Sequence, residues 1–500
     1  MVNGIELKSA VAICVALSMC AVAAEEAPLP PEVQARIAAE IGSAKLVTED
    51  LAGLERPWTF TAYVPNDRIV WSVSDRPEAV FELRDAEGRL VTGEALADVK
   101  LRVESYRTYE TSAEEVSFAA EGNPVRRVLT LDHPGVVAVT ASVLGKPIPA
   151  AGKKPNRRFL PLVQVLVDAK GKRMKNKLSS RVGALFDPLK IVAAKPIPEG
   201  FDETWRRFVE EDSKYSNMPK YFHRRGTNDN ENVWTFAGVL DSPAGEVHFD
   251  WGVPAAAREG KKLPIRVFLQ AYSCGYHFAE TWIGNSLTLG INCHSVSNRA
   301  PSAYWKAEMA KRPNFGFSTN ENARVETCYH IGMLRRDIRA IRWAMSQPEW
   351  DGTNIVFHGD SQGGFQTFAL AGIFPDVRSA WSVCPWYVDI GGSQHHWRPV
   401  WQLGPDFADP VHHITRTKAK RIKYTFGICD SAGPADGLMA MFNLIPDTTD
   451  FAEITIIQGR GHDAGNDSAK VCPSYVFTKR NGKVAGEYRP VGTIAQKKGK

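Results

Sequence analysis

Asn354-Ile-Val-Phe-His-Gly-Asp-Ser-Gln-Gly-Gly-Phe-Gln-Thr-Phe-Ala-Leu-Ala371 sets a hydrophobic run, a Gly-x-Ser-x-Gly turn and a helix-forming run in direct succession. That order is the strand, tight turn and helix of a nucleophile elbow, in which a serine stands on a strained turn with its hydroxyl exposed at the edge of a sheet. A side chain at 359 or 363 would collide in so tight a turn, which accounts for Gly359 and Gly363 on either side of Ser361. Ser361 is the candidate nucleophile, and a buried strand feeding a helix predicts an α/β architecture.

A serine hydroxyl is a weak nucleophile until a base takes its proton, so a histidine and an orienting acid must follow, in the order serine, acid, histidine. The later histidines are His395, His396, His412, His413 and His462. Only His462 closes a strand pattern near the chain end, Glu453-Ile-Thr-Ile-Ile-Gln-Gly-Arg-Gly-His462, where a Gly-rich loop can carry the imidazole over the sheet edge. Ile422-Lys-Tyr-Thr-Phe-Gly-Ile-Cys-Asp430 puts a carboxylate at the end of another strand, so Asp430 is the candidate acid. Asp436 reads instead as an acid at a helix start, and Asp463 stands too near His462 in sequence to orient it. The oxyanion needs preorganised N–H donors. Gln362, the residue after the nucleophile, supplies one. The second is expected in Ser273-Cys-Gly275 and is assigned to Cys274, whose thiol could equally be a small core group or half of a disulfide.

Working outward from the elbow, apolar runs at 265–271, 287–292, 379–383, 422–428 and 454–458 alternate with helical patterns. One of these carries Ile331, Leu334, Ile338 and Ile341 on a single stripe. Buried strands alternating with helices imply a mostly parallel sheet covered on both faces. Upstream the period changes to two. Val80-Phe-Glu-Leu-Arg84, Val99-Lys-Leu-Arg-Val-Glu-Ser105 and Gly135-Val-Val-Ala-Val-Thr-Ala-Ser-Val143 alternate apolar and polar residues between turn residues, as in an immunoglobulin-like β-sandwich. The predicted layout is a leader at 1–24, a short helical segment at 25–46, a sandwich at 47–190, an α/β-hydrolase domain at 191–480 and a basic tail at 481–500.

The 500 residues are 44% hydrophobic and 23% charged, in the globular range. With 61 Lys+Arg against 56 Asp+Glu the formal charge is only +5, which argues against nucleic acid as a partner. The apolar run from Ala10 to Ala21, followed by small residues and Glu25-Glu26, reads as a cleaved secretory leader, being too short to span a bilayer. Secretion or a periplasmic location follows, with no stable membrane insertion once the leader is removed. Six cysteines remain, all in the second half, and their pairing is open. No CxxC occurs, and the adjacent pairs His395-His396 and His412-His413 diverge, so no metal and no cofactor is expected.

Several stretches together resemble the acetylxylan esterase and cephalosporin C deacetylase family of carbohydrate esterases. They are Arg336-Asp-Ile-Arg-Ala340, Trp350-Asp-Gly352, the elbow His358-Gly-Asp-Ser-Gln-Gly-Gly364, Pro385, Gly427-Ile-Cys-Asp430, Gly461-His462 and the opening Pro196 to Phe208. The resemblance spans about residues 196–475 and implies an α/β-hydrolase fold, a Ser361, Asp430, His462 triad and an O-acylated polysaccharide or oligosaccharide as substrate. Two pocket segments depart from the family pattern: Ile291-Asn-Cys-His294 replaces Arg-Gly-Gln-Gly, and Tyr272-Ser-Cys274 replaces His-Gly-Tyr. Tyr272 and His294, in these segments, are candidate substrate-binding residues, as is Trp386, which clusters with Tyr387, Trp397 and Trp401 where a lid or a platform for stacking a sugar ring is expected. The expected activity is removal of acyl groups, acetyl foremost, from a carbohydrate. The alternatives are a prolyl-oligopeptidase-like peptidase, for which 170 or so preceding residues are too few to form a propeller, and a catalytically silent glycan-binding protein.

Overall fold

The computed structural model describes residues 58–490 except 109, 146–159, 168–172, 225–231, 273–282, 299–301, 312–318, 375–376, 393–401, 466–467 and 469–471. The expected leader, the segment 25–46, Cys274 and the last ten residues lie outside the described part.

The N-terminal β unit contains β1 (Thr59–Tyr63), β2 (Val70–Trp71), β3 (Glu78–Arg84), β4 (Val99–Arg107), β5 (Glu110–Ser117), β6 (Val125–Val128), β7 (Gly135–Gly145), β8 (Leu160–Pro161), β9 (Val163–Val167), β10 (Arg173–Lys177) and β11 (Ser179–Phe186). One sheet runs β1-β3-β6 and a second runs β2-β11-β7-β4-β5, with β8 on β7 and a separate β9-β10 pair. The strands that alternate apolar and polar residues turn their apolar side inward. Phe81 and Leu83 of the first sheet and Leu101, Val103, Val137, Val139, Val182 and Phe186 of the second close one shared core.

The C-terminal α/β unit holds β12 (Tyr221–Arg224), β13 (Val233–Leu240), β14 (Val247–Pro254), β15 (Leu263–Leu269), β16 (Leu287–Asn292), β17 (Trp350–Gly359), β18 (Val377–Val383), β19 (Arg421–Gly427), β20 (Phe451–Ile457), β21 (Ser474–Arg480) and β22 (Lys483–Arg489). They form one 11-stranded sheet in the order β12-β13-β14-β16-β15-β17-β18-β19-β20-β21-β22. The stretch β16-β15-β17-β18-β19-β20 is parallel throughout. Both flanks are antiparallel, so the sheet is mixed and wider than the mostly parallel one expected. The expected tail is in part β22, an edge strand paired to β21.

Four helices matter for the site: α1 (Phe201–Ser213), α2 (Tyr329–Met345), α3 (Gln362–Ile373) and α4 (Ala435–Asn443). Residues Gln362 to Ala371 of α3 are buried, because the helix lies between the sheet and the segment around His413. On α2 Arg335 and Arg336 turn inward and find partners: Arg335 Nη2 meets Asp212 Oδ1 at 2.9 Å, and Arg336 Nε donates to the Cys293 carbonyl at 2.6 Å.

The two units are joined by packing and by hydrogen bonds. Ile69, Tyr106, Val136, Leu185 and Ile191 belong to the same hydrophobic cluster as Val267, Phe357 and Ile428. Tyr106 Oη donates to Asp436 Oδ2 at 2.7 Å, and Asn443 Nδ2 donates to the carbonyls of Pro188 and Ile191 at 3.0 and 2.8 Å.

Candidate active site

β17 ends at Gly359 and α3 begins at Gln362, which leaves Ser361 on the turn with φ 54° and ψ −115°. An L-residue holds such a backbone only where its surroundings dictate it. They do so here. Ser361 N donates to the Val383 carbonyl at 3.0 Å, and the Ser361 carbonyl accepts from Trp386 N at 3.0 Å. A Cβ on Gly359 would stand 2.6 Å from the Gly363 carbonyl oxygen, and one on Gly363 would stand 2.3 Å from that of Leu269. Both obstacles are backbone, so only glycine fits at either position.

His462 Nε2 lies 2.8 Å from Ser361 Oγ, while its Nδ1 lies 2.8 Å from Asp430 Oδ2 and 3.1 Å from Oδ1. The Asp430 side chain is fully buried and is itself held: Oδ1 accepts from Ala432 N at 2.8 Å and from Gly433 N at 3.1 Å. An ionised carboxylate only accepts, so Nδ1 carries the proton and the lone pair on Nε2 faces the serine hydroxyl. Burial alone would push the imidazole pKa down. The charge and hydrogen bond of Asp430, with the charges of Asp463 and Asp360 added, outweigh burial and raise it above its ordinary 6.5.

Gln362 is buried, and its N–H lies in the first turn of α3, where the helix offers no acceptor. That donor and the positive end of the helix dipole both point to the place where charge would develop on a bound carbonyl. Cys384 Sγ, Asp430 and His462 present atoms within 4.8 Å of one another. Burial holds the Cys384 thiol far above its usual range, however, and Sγ donates to the Ala464 carbonyl at 3.0 Å, so this is a protonated thiol beside an imidazole and carboxylate pair.

The structure brings together Ser361, Asp430, His462 and Gln362. Tyr272 is exposed. His294 is fully buried, with Nδ1 2.7 Å from Tyr329 Oη, and so offers no open face to a substrate. Trp386 is only 5% exposed and its ring packs on Tyr387 at 5.0 Å, while its backbone N–H meets the elbow at the Ser361 carbonyl. Cys384 and Arg181 escaped the sequence reading. Arg181 reaches the histidine loop from the other unit, and its Nη1 lies 3.2 Å from Asp463 Oδ1.

A family model described as acetyl xylan esterase matches residues 187–395, a span that contains Ser361 and stops before Asp430 and His462. No curated protein sequence matches the chain. Among solved structures, the acetyl xylan esterase of Paenibacillus sp. R4 is 17% identical, covering 56% of this chain and 95% of its own with a TM-score of 0.46. Acetyl xylan esterase 1 of Thermoanaerobacterium sp. JW/SL YS485 is 16% identical over 56% and 93%, with a TM-score of 0.45. An acylaminoacyl peptidase of Pyrococcus horikoshii is 11% identical over 81% and 75%, with a TM-score of 0.34.

Proposed function

We propose that the chain is a carboxylic-ester hydrolase of the acetyl xylan esterase-like group of carbohydrate esterases, the group whose model matches residues 187–395, and that it removes acetyl groups from an acetylated carbohydrate by a serine, histidine and aspartate mechanism. In this reading His462 Nε2 takes the Ser361 proton as Oγ attacks the ester carbonyl. The Gln362 N–H and a donor from the loop after β15, assigned to Cys274, hold the oxyanion. The imidazolium then gives its proton to the departing sugar oxygen, which leaves as a hydroxyl while the acyl group stays on Ser361 Oγ. Water, deprotonated by the same imidazole, releases the acyl group as the free acid. Asp430 fixes the tautomer and stabilises the imidazolium throughout. The α/β unit is read as an α/β-hydrolase domain, the N-terminal unit as an immunoglobulin-like sandwich, and the mature chain as secreted or periplasmic after loss of 1–24.

The observation that carries the mechanism is the bridging of His462 between Ser361 and Asp430 at 2.8 Å on each side. No cofactor enters any step. Hydrolysis of 4-nitrophenyl acetate and butyrate, and acetate release from acetylated xylan, should all occur with the wild type and favour acetate. Ser361→Ala should lower kcat by about 10⁴-fold or more. Equal rates in wild type and variant would remove Ser361 from the chemistry, and activity on nitrophenyl esters without glycan turnover would sink the carbohydrate substrate.

A further inference from the structure

The loop that carries His462 is held from two sides, and one of those sides belongs to the N-terminal unit. Gln458, the first residue past β20, exchanges a reciprocal pair of hydrogen bonds with the backbone of Gly183 in β11, Gly183 N to Oε1 and Nε2 to Gly183 O, each 2.9 Å. Gln458 Oε1 also accepts from Gly459 N at 3.0 Å. Two residues earlier on β11, Arg181 covers the turn itself. Its carbonyl oxygen would stand 3.0 Å from a Cβ on Gly459, and its Nη1 2.9 Å from a Cβ on Gly461. The same Nη1 binds Asp463 Oδ1, which in turn accepts from Gly461 N at 2.9 Å, while Asp463 Oδ2 meets Arg460 Nη1 at 3.4 Å. The same strand also packs against the start of the loop that carries Asp430, since a Cβ on Gly183 would stand 2.8 Å from Ile428.

We propose that the N-terminal β unit is a working part of the catalytic centre: its strand β11 fixes the histidine loop 458–463 through Gly183 and Arg181, and Arg181 is a positioning residue for His462. The inference rests on the reading of Ser361, His462 and Asp430 as the catalytic line. His462 follows directly from the clamped Gly461, so a small rotation of the loop would lengthen the Nε2 to Oγ contact on which proton transfer depends. Arg181 has an electrostatic role as well. The charged and titratable groups around His462 are Asp430 on the acid loop, Asp463 and Arg460 on its own loop, Asp360 at the elbow, the protonated Cys384 after β18, and Arg181 on β11. Asp463 raises the imidazole pKa, and Arg181 partly neutralises Asp463. Removing the arginine therefore moves the imidazole further up, and removing Asp463 moves it down.

The full chain carrying Arg181→Gln tests this, since the side chain is 42% exposed and its loss hollows out no core. We expect kcat to fall about ten- to hundredfold with KM little changed, the acid limb of kcat/KM to move to higher pH, and Arg181→Lys to restore much of the rate. In Asp463→Asn the limb should move to lower pH. NMR titration of the His462 ring in a Ser361→Ala background reads the same shifts without turnover. Wild-type kcat and an unmoved limb in Arg181→Gln would overturn the positioning role alone, as would a loss that Lys fails to restore together with an unmoved His462 titration. Absence of Ser361-dependent turnover in the wild type would overturn the esterase mechanism and this role together.

Discussion

Three carboxylates bear on His462, and one of them hydrogen-bonds to it. Asp430 does so with both oxygens, whereas Asp463 is engaged with Gly461 N and Arg181, and Asp360 Oδ1 accepts from Val383 N at 2.8 Å. The division of labour is testable at the level of a single atom. An amide at 430 can turn an N–H toward Nδ1 and so stabilise the tautomer whose Nε2 bears the proton, which cannot accept one from serine. Asp430→Asn should therefore lower kcat by about 10³- to 10⁴-fold without unfolding the chain, measured by steady-state kinetics beside circular dichroism. A near-normal rate would mean that another carboxylate orients the imidazole. The pH profile follows from the same geometry. His462 must be neutral to act as base, so kcat/KM falls as pH drops through its pKa. Because the net effect of its neighbours is upward, that limb should lie above 6.5.

At the scale of elements, α1 shows how a helix is seated on the α/β unit. Phe201 stacks on Phe407 with centroids 5.7 Å apart, and Trp205 lies 4.8 Å from the His413 ring while its Nε1 donates to the Phe407 carbonyl at 2.9 Å. Trp205→Ala removes that anchor and should cost about 3–5 kcal/mol in urea unfolding; a loss under about 1 kcal/mol would show that the site collapses to fill the gap. How far elements could be read from sequence depended on what each one buries. β16 is buried along its whole length, and β19 and β20 over their last four residues, so each stood out as a largely apolar run. β5, Glu110-Thr-Ser-Ala-Glu-Glu-Val-Ser117, is exposed along nearly its whole length and left no apolar alternation to detect. β22 is exposed in the same way and looked like a tail. Ser361, Asp430 and His462 were legible because each follows the end of a buried strand in a turn of characteristic composition. Arg181 was not, since its partner is 282 positions away and nothing local to β11 announces it.

The whole molecule raises the question of whether its two units are separate in energy as they are in pattern. The change of period near residue 195 suggests a boundary, yet the packing crosses it. Ile69, Tyr106, Val136 and Leu185 share a core cluster with the strands that carry the candidate site, and Tyr106 donates to the buried Asp436. A hydrogen bond to a buried carboxylate is stronger than one between neutral groups, because losing it leaves charge poorly solvated. Tyr106→Phe deletes only that hydroxyl and should cost about 2 kcal/mol. If the units were independent, heating would give two transitions, and a phenylalanine at 106 would affect the N-terminal one alone. The continuous core and the clamp on the histidine loop predict the opposite: a single calorimetric transition that moves down as a whole, with esterase activity lost over the same temperatures. Two resolved transitions, with activity following only the one that Tyr106→Phe leaves in place, would show that the N-terminal unit unfolds without disturbing the triad, and the β unit would then be a passenger.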